Sequence, residues 1–171
     1  NRFLQLDHII LFHFASIILS VCLILVIYFV VKTFVEDNTL RISAFIVAVL
    51  GGGLGWMSWF SGSSDITSAG FTTVNAFERG HEALSTLLLL LALSFFYIYC
   101  KKKEGKHLLL AVLAGFLQTT IHPTFIIFYV VVGVIVSFLF IKSVKNLRIF
   151  LFPLGILLMF GVYYLTFLNG L

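Results

Sequence analysis

One polar stretch, residues 61–82, lies between two strongly apolar segments of this 171-residue chain. We call this stretch the polar segment. It contains Asp65, Glu78, Arg79 and His81. Carboxylate, guanidinium and imidazole groups carry most general acid–base and charge-stabilising chemistry in enzymes. Any catalysis by this chain is therefore expected in or beside the polar segment.

The end of the polar segment has two interpretations. If a helix begins near Asn75, Glu78 and Glu82 share one face at a spacing of four residues, and His81 lies three residues after Glu78. The same spacing also fits a capping box, in which Asn75 is the cap and Glu78 is the third helical residue. No spacing of His, Asp and Glu here predicts a strong metal site, so dependence on a divalent cation stays open.

A second group of polar residues interrupts a long apolar stretch, residues 107–140, that lies between two basic loops. A single helix of these 34 residues would be about 50 Å long and would end on the wrong side of a membrane. The residues that interrupt the stretch are Gln118, Thr119, Thr120, His122 and Pro123. Proline disfavours helix at the residue before it, so the sequence predicts a hairpin broken at His122-Pro123. His122 is then either a site residue or a residue that satisfies backbone groups freed by the break.

The composition predicts that these residues are positioned by membrane helices. The chain is 61% hydrophobic and 11% charged, with a mean hydropathy of +1.13, whereas soluble domains are about 25% charged. Apolar runs of about 18 residues or more recur, and each is long enough for a hydrocarbon core about 30 Å thick. We expect an all-α, polytopic bundle in a single domain, with about six spans at residues 9–31, 42–60, 83–100, 108–121, 124–141 and 149–167.

The basic residues predict the orientation of these spans. Nine of the eleven Lys and Arg fall in three connections, residues 32–41, 101–107 and 142–148. Positive residues in short loops mark the cytoplasmic side of a membrane. The pattern predicts a multi-pass protein of the cell membrane with these three loops in the cytoplasm and the polar segment on the extracytoplasmic side. The predicted partner is the lipid bilayer, and no nucleic-acid-binding patch is expected.

The order of features in residues 50–140 resembles a known superfamily. A helix ending in GGGLGW leads to a polar loop with an acid, a helix entering as NAFERGHEALSTLLLLLAL, a basic KKKEGKHLLLA turn and the segment LLAGFLQTTIHPTF. This order resembles GT-C-type polytopic glycosyltransferases and related uncharacterised membrane proteins of bacteria and archaea. The resemblance implies transfer of a sugar from a lipid-phosphate-linked donor, with catalysis on the extracytoplasmic face.

Under this resemblance, the reaction needs a base near the acceptor hydroxyl and a cation near the donor phosphate. Asp65 or Glu78 would be the base, and Arg79 would bind the phosphate. His122 would form a hydrogen bond with either substrate. The further substrate-binding candidates are His81 and Asn75.

One part of the family pattern is absent from the sequence. Those enzymes typically carry an acidic residue in their first outer loop, and no loop of that kind precedes the span at residues 9–31. Only Asp7 could be its remnant. The chain begins with Asn1 rather than Met and ends in the apolar segment LTFLNGL, so we expect a fragment of a longer polytopic protein.

Two other functions stay open. Breaks in the glycine-rich residues 51–55 and at His122-Pro123 are features that transporters use to bind substrate inside the membrane, which would fit a transporter or flippase segment. A membrane scaffold or sensor without chemistry, in which the polar segment is only a connector, is the third possibility. An upstream outer loop with an acid would favour the enzyme, and an inverted copy of this block would favour transport.

Overall fold

Every regular element in the described part of the chain is helical, as the sequence predicted. The structure is a computed structural model that describes residues 8–50, 80–144 and 147–168. The helices are α1 (His8–Phe34), α2 (Asn38–Leu50), α3 (Gly80–Lys102), α4 (Gly105–Ile121), α5 (Phe125–Val144) and α6 (Leu151–Tyr163). A 3₁₀ turn, Leu147–Phe150, precedes α6, and a π-helical turn, Tyr164–Leu168, follows it.

Three helices are long and apolar enough to cross a membrane: Ile10–Phe34, Gly80–Lys102 and Arg148–Phe167. The shorter apolar helices in the described residues are Asn38–Val49, Gly105–Ile121 and Phe125–Phe140. The 17 residues of α4 reach only about 26 Å at 1.5 Å per residue, which is less than a hydrocarbon core of about 30 Å. The helices thus indicate a membrane protein, while the count of six spans stays a prediction.

The helices extend beyond the predicted spans at several ends. α1 runs on to Phe34, α2 begins at Asn38 and α3 begins at Gly80, whereas the predicted spans were 9–31, 42–60 and 83–100. Hydropathy detects only the apolar part of a helix, so the polar turns at its ends are not counted. Residues 51–79, which hold the glycine-rich segment and most of the polar segment, lie outside the described residues.

The chain divides into two units, Asn1–Leu87 and Leu88–Leu171. In the first unit, α1 packs against α2. The carboxylate of Asp37 accepts a hydrogen bond of 2.8 Å from the backbone N–H of Leu40, so Asp37 caps α2. Arg41 donates hydrogen bonds to the backbone oxygens of Val35 at 3.0 Å and Glu36 at 2.8 Å. The guanidinium of Arg41 therefore belongs to the structure of this loop.

The second unit is organised around α6, which packs against both α4 and α5. The packing face of α4 consists of small and polar residues at helical spacing: Ala111, Ala114, Gly115, Gln118 and Thr119. A Cβ on Gly115 would lie 2.5 Å from Cδ1 of Ile156, and a Cβ on Gly155 would lie 3.0 Å from Cγ1 of Val112. The two helices therefore approach closely through glycines, as helices in membranes often do.

Aromatic rings fill the centre of the second unit. Phe96 of α3 stacks on Phe152 of α6 with ring centroids 4.1 Å apart, and Tyr129 of α5 lies edge-on to Phe152 at 5.9 Å. All three side chains are buried. Stacked and edge-to-face pairs add to the stabilisation from burial alone, so this cluster fixes how the three helices meet.

The outward faces of α4, α5 and α6 are strongly apolar. Exposed aliphatic residues recur along α4, α5 and α6: Leu109, Leu113, Leu117, Ile127, Val131, Ile135, Leu154, Leu158 and Val162. The buried polar residues of this unit are Ser94, Gln118, Thr119 and Ser137. Apolar surface of this extent is unfavourable in water but not in lipid, where small and polar residues mediate helix packing instead. The distribution agrees with the membrane environment indicated by helix length.

Candidate functional site at the α4–α5 break

The residues predicted for the site fall in different parts of the chain. Asp65, Asn75, Glu78 and Arg79 lie outside the described residues. His81 is the second residue of α3, in the first unit, and its side chain is exposed; His122 lies between α4 and α5, in the second unit. The roles proposed from the sequence stay predictions, and the structure gives local geometry for the two histidines.

The break predicted at His122-Pro123 is present, because α4 ends at Ile121 and α5 begins at Phe125. The backbone N–H of His122 donates to the carbonyl of Gln118 at 3.0 Å, and the carbonyl of His122 accepts from the N–H of Phe125 at 3.1 Å. Pro123 has no N–H to donate and holds the preceding residue in an extended conformation, with φ −130° and ψ 89° at His122. The backbone of His122 therefore closes one helix and starts the next.

Two threonines in the last turn of α4 direct their hydroxyl groups back to the helix. Thr119 Oγ1 donates to the carbonyl of Phe116 and Thr120 Oγ1 to the carbonyl of Leu117, both at 2.7 Å. Such bonds satisfy a hydroxyl without a partner from outside the helix. The hydroxyl groups of both threonines are therefore satisfied within α4.

A buried tyrosine near this face was not predicted from the sequence. Tyr129 of α5 and Gln118 of α4 are both fully buried. A Cβ on Gly115 would lie 3.6 Å from Cζ of Tyr129, and Gly115 and Gln118 share one face of α4 because they are three residues apart. Among the residues that the structure describes, the hydroxyl of Tyr129 has no hydrogen-bond partner. The face of α4 that carries Gly115 thus packs beside a buried phenol that the described residues leave without a hydrogen bond.

The sequence did contain a signal for the face of α5 that carries Tyr129. Tyr129, Gly133 and Ser137 are spaced four residues apart, and all three are buried. A Cβ on Gly133 would lie 3.0 Å from Cβ of Pro153, and Ser137 Oγ donates to the carbonyl of Ile149 at 3.5 Å. A small or polar residue at every fourth position of an apolar helix indicates a packing face. The pattern identifies the face but not the missing partner of the phenol.

A predominantly apolar groove lies between α4 and the end of α6. It has a volume of about 360 Å³ and is lined by Phe116 of α4 together with the end of α6 and the π-helical turn: Leu158, Met159, Val162, Tyr163, Thr166 and Phe167. The hydroxyl of Thr166 donates to the carbonyl of Val162 at 2.7 Å, so it is satisfied within its own helix. The surface offered by the groove fits an apolar chain better than a polar group.

In the described ranges, no three His, Cys, Asp or Glu side chains come close enough to hold a metal ion. The acids predicted for catalysis, Asp65 and Glu78, lie outside those ranges. No family model matches the chain, and no curated protein or solved structure matches it either. A functional assignment therefore rests on the break, the buried polar residues and the groove, together with the sequence.

Proposed function

We propose that this chain is part of a membrane-embedded glycosyltransferase that transfers a sugar from a lipid-phosphate-linked donor, as in GT-C-type enzymes. The observation that carries the proposal is His122, half-buried at the interrupted end of an apolar helix. An imidazole with one N–H both donates and accepts hydrogen bonds, which matches the hydroxyl groups of a sugar. Polar residues inside a membrane segment are costly and usually serve a function.

The apolar groove supports a donor that is linked to a lipid. Its lining residue Phe116 lies one helical turn before Thr120, so the groove and the break are neighbours on α4. In this proposal the groove holds the first part of the lipid chain, while the break faces the sugar. An acyl or polyprenyl chain would find aromatic and aliphatic contacts along Phe116, Tyr163 and Phe167.

The remaining roles come from residues of the polar segment. Asp65 or Glu78 acts as general base toward the acceptor hydroxyl, and Arg79 binds the donor phosphate. Asn75 and His81 are additional substrate contacts. The proposal places the polar segment outside the cell and the loops 32–41, 101–107 and 142–148 in the cytoplasm, in a multi-pass protein of the cell membrane.

The test is sugar transfer by the intact protein in membranes, with a polyprenyl-phosphate sugar as donor. Asp65→Asn, Glu78→Gln, Arg79→Ala and His122→Ala are compared with Glu36→Gln, which removes an exposed carboxylate from the α1–α2 loop. Loss of the general base is expected to lower kcat by about 10²–10⁴-fold, and Glu36→Gln should retain wild-type transfer. Unchanged activity in all four site variants would contradict the assignment.

The orientation is tested separately by thiol labelling. A cysteine introduced as Ser64→Cys should react with an impermeant reagent added outside intact cells, whereas Glu104→Cys should react only after the membrane is opened. The background replaces Cys22 and Cys100, the second of which is buried. Labelling with the opposite pattern would reverse the predicted topology and exclude an extracytoplasmic site.

The helix break also supports a second candidate, a transporter or flippase segment. Interrupted membrane helices expose backbone groups that bind substrate near the middle of the bilayer, and α4 and α5 are separated by such an interruption. Proteoliposomes distinguish the two functions, because a transporter moves the lipid-linked sugar across the bilayer and forms no glycosylated product. Translocation that depends on His122 without product formation would favour transport.

A further inference from the structure

The turn between α3 and α4 carries an exposed cluster of positive charge. We define the lysine turn as residues 101–106. Its four lysines are Lys101, Lys102, Lys103 and Lys106, and all four are exposed. The one acid in the turn, Glu104, forms an ion pair of 2.7 Å with Lys106. The lysine turn therefore keeps an excess of positive charge toward its surroundings.

The position of the lysine turn relative to α3 places this charge at the depth of lipid headgroups. α3 is long and apolar enough to cross a membrane and ends at Lys102. A helix of this length brings the residues at its end to the boundary between hydrocarbon and water. Lys101 Nζ lies 4.8 Å from the ring centroid of Tyr97, and aromatic and basic side chains together are typical of that boundary.

A second basic segment of the same unit reaches this end of α3. Arg148, which precedes α6, is exposed, and the next residue, Ile149, is buried in the same cluster as Tyr99 and Cys100 near the end of α3. The backbone N–H of Lys103 donates to the carbonyl of Tyr99 at 2.7 Å. Two segments that are distant in sequence contribute positive charge to one end of the second unit.

The backbone of the turn holds one of its lysines in a conformation that favours glycine. Lys103 has φ +60°, a left-handed conformation at the end of α3. Glycine adopts this conformation without a steric penalty and is the usual residue after the end of a helix. Replacement of Lys103 by glycine therefore removes a charge without straining the turn.

We propose that the lysine turn is a binding surface for the phosphate groups of anionic lipids in the adjacent membrane leaflet. Clusters of basic residues directly next to a membrane helix attract anionic lipids, and the attraction depends on each Lys or Arg near the surface.

The test uses the purified full chain in uncharged detergent, titrated with phosphatidylglycerol or phosphatidylcholine, with bound lipid counted by native mass spectrometry. We expect tighter binding of phosphatidylglycerol. Lys102→Gln and Lys103→Gly should each lower its affinity about fivefold without affecting phosphatidylcholine. Raising the salt from about 0.1 M to about 1 M should weaken the preference, because the screening length falls from about 10 Å to about 3 Å.

Lys32→Gln is the matched control, since Lys32 is an exposed lysine in the last turn of another apolar helix, α1. Lys32→Gln should change the affinity for phosphatidylglycerol less than twofold. A loss of affinity equal to that of Lys102→Gln would overturn a site at the lysine turn. Equal affinity for the two lipids would also overturn the proposal. So would displacement of the lipid by inorganic phosphate at equal concentration, or tighter binding of a duplex DNA oligonucleotide. The unfolding temperature of Lys103→Gly must be no lower than that of wild type. This result excludes misfolding as the cause of weaker binding.

Discussion

The connections at the two ends of α4 are similar in length but opposite in chemistry. Lys103 and Glu104 join α3 to α4, and residues 122–124 join α4 to α5. The first connection is exposed and charged, with its acid and lysines at the surface. The second contains no Asp, Glu, Lys or Arg and follows the fully buried Gln118. α4 is therefore preceded by a charged connection and followed by a connection of His, Pro and Thr.

This difference separates the part of α4 that contributes most to stability from the part that is exposed to other molecules. Charges on an exposed turn are screened by solvent, so their ion pairs contribute little to folding. The interior face of α4 has close backbone contacts and buried polar groups, where small changes have large effects. We therefore expect substitutions on the interior face of α4 to change stability more than substitutions in the lysine turn.

The largest effect is expected for Gly115→Ala. The new Cβ would lie 2.5 Å from Cδ1 of Ile156, which is itself buried and has little room to move. Overpacking of this kind costs about 1–3 kcal/mol. The variant should unfold at a lower temperature in detergent. Ile156→Val removes the atom that the Cβ would meet, so the double variant should be more stable than the sum of the two single effects predicts.

Gly161→Ala provides the matched control, because a Cβ there would meet no heavy atom within 4 Å. Both glycines lie inside helices, so the helix propensity gained is the same in each case. The control should be neutral or more stable by up to about 1 kcal/mol. If Gly115→Ala changed the unfolding temperature no more than Gly161→Ala, α4 and α6 would not pack as closely as the structure shows. The interior face of α4 would then not be more sensitive to substitution than the lysine turn.

The second prediction concerns Tyr129→Phe, which removes only the hydroxyl. A buried hydroxyl without a partner costs about 1–3 kcal/mol. Part of this cost is also present in the unfolded chain within a micelle. Removal of the hydroxyl should therefore stabilise the protein by about 1 kcal/mol. Thermal unfolding in detergent without substrate measures the change. A decrease in stability of similar size would show that the hydroxyl has a partner, such as a bound water.

The sequence predicted the helical class and the break because both depend on strong local signals. Pro123 removes a backbone donor and disfavours helix at the residue before it, and long apolar runs form helices in lipid for lack of other hydrogen-bond partners. The end residues of α1, α2 and α3 were predicted less well, because polar terminal turns do not register in hydropathy. The cap of α2 depends on the 2.8 Å hydrogen bond from the backbone N–H of Leu40 to Asp37, which hydropathy does not detect.

The contacts of the buried polar groups depend on neighbouring helices, so a local pattern can identify a packing face but not what it meets. Tyr129 lies in an apolar run, and its burial follows from packing against Phe152 and the gap left by Gly115. The sequence identified Gln118 as part of an interruption but not as a fully buried residue. The proposed catalytic residues Asp65 and Glu78 stay predictions, since they lie outside the described residues.

At the other end of α4, Lys103→Gly tests whether the lysine turn contributes to stability by its shape or by its charge. Relief of the left-handed strain is worth about 1 kcal/mol, and the greater freedom of glycine in the unfolded chain offsets part of this, so a gain of about 0.5 kcal/mol is expected. Thermal unfolding in detergent again provides the measurement. Lys102→Gly removes the same charge at a helical position and should lose up to about 1 kcal/mol. A loss in both variants would mean that the charge itself stabilises the turn.

The smallest effect is expected for Glu104→Gln, and it should depend on pH. A hydrogen bond from Lys106, aided by nearby positive charge, lowers the pKa of the Glu104 carboxyl from its usual value of 4.5. A carboxyl whose pKa is lower in the folded protein contributes stability above its unfolded pKa, and this contribution is lost as the pH falls through the folded pKa. The unfolding temperature of wild type should therefore slightly exceed that of the variant near neutral pH, and the difference should disappear well below pH 4.5. Because the pair is exposed, added salt should also reduce the difference. A difference in unfolding temperature that is independent of pH would show that the carboxylate charge does not stabilise the turn. A large difference would contradict the expectation that the interior face of α4 contributes more to stability than the exposed lysine turn.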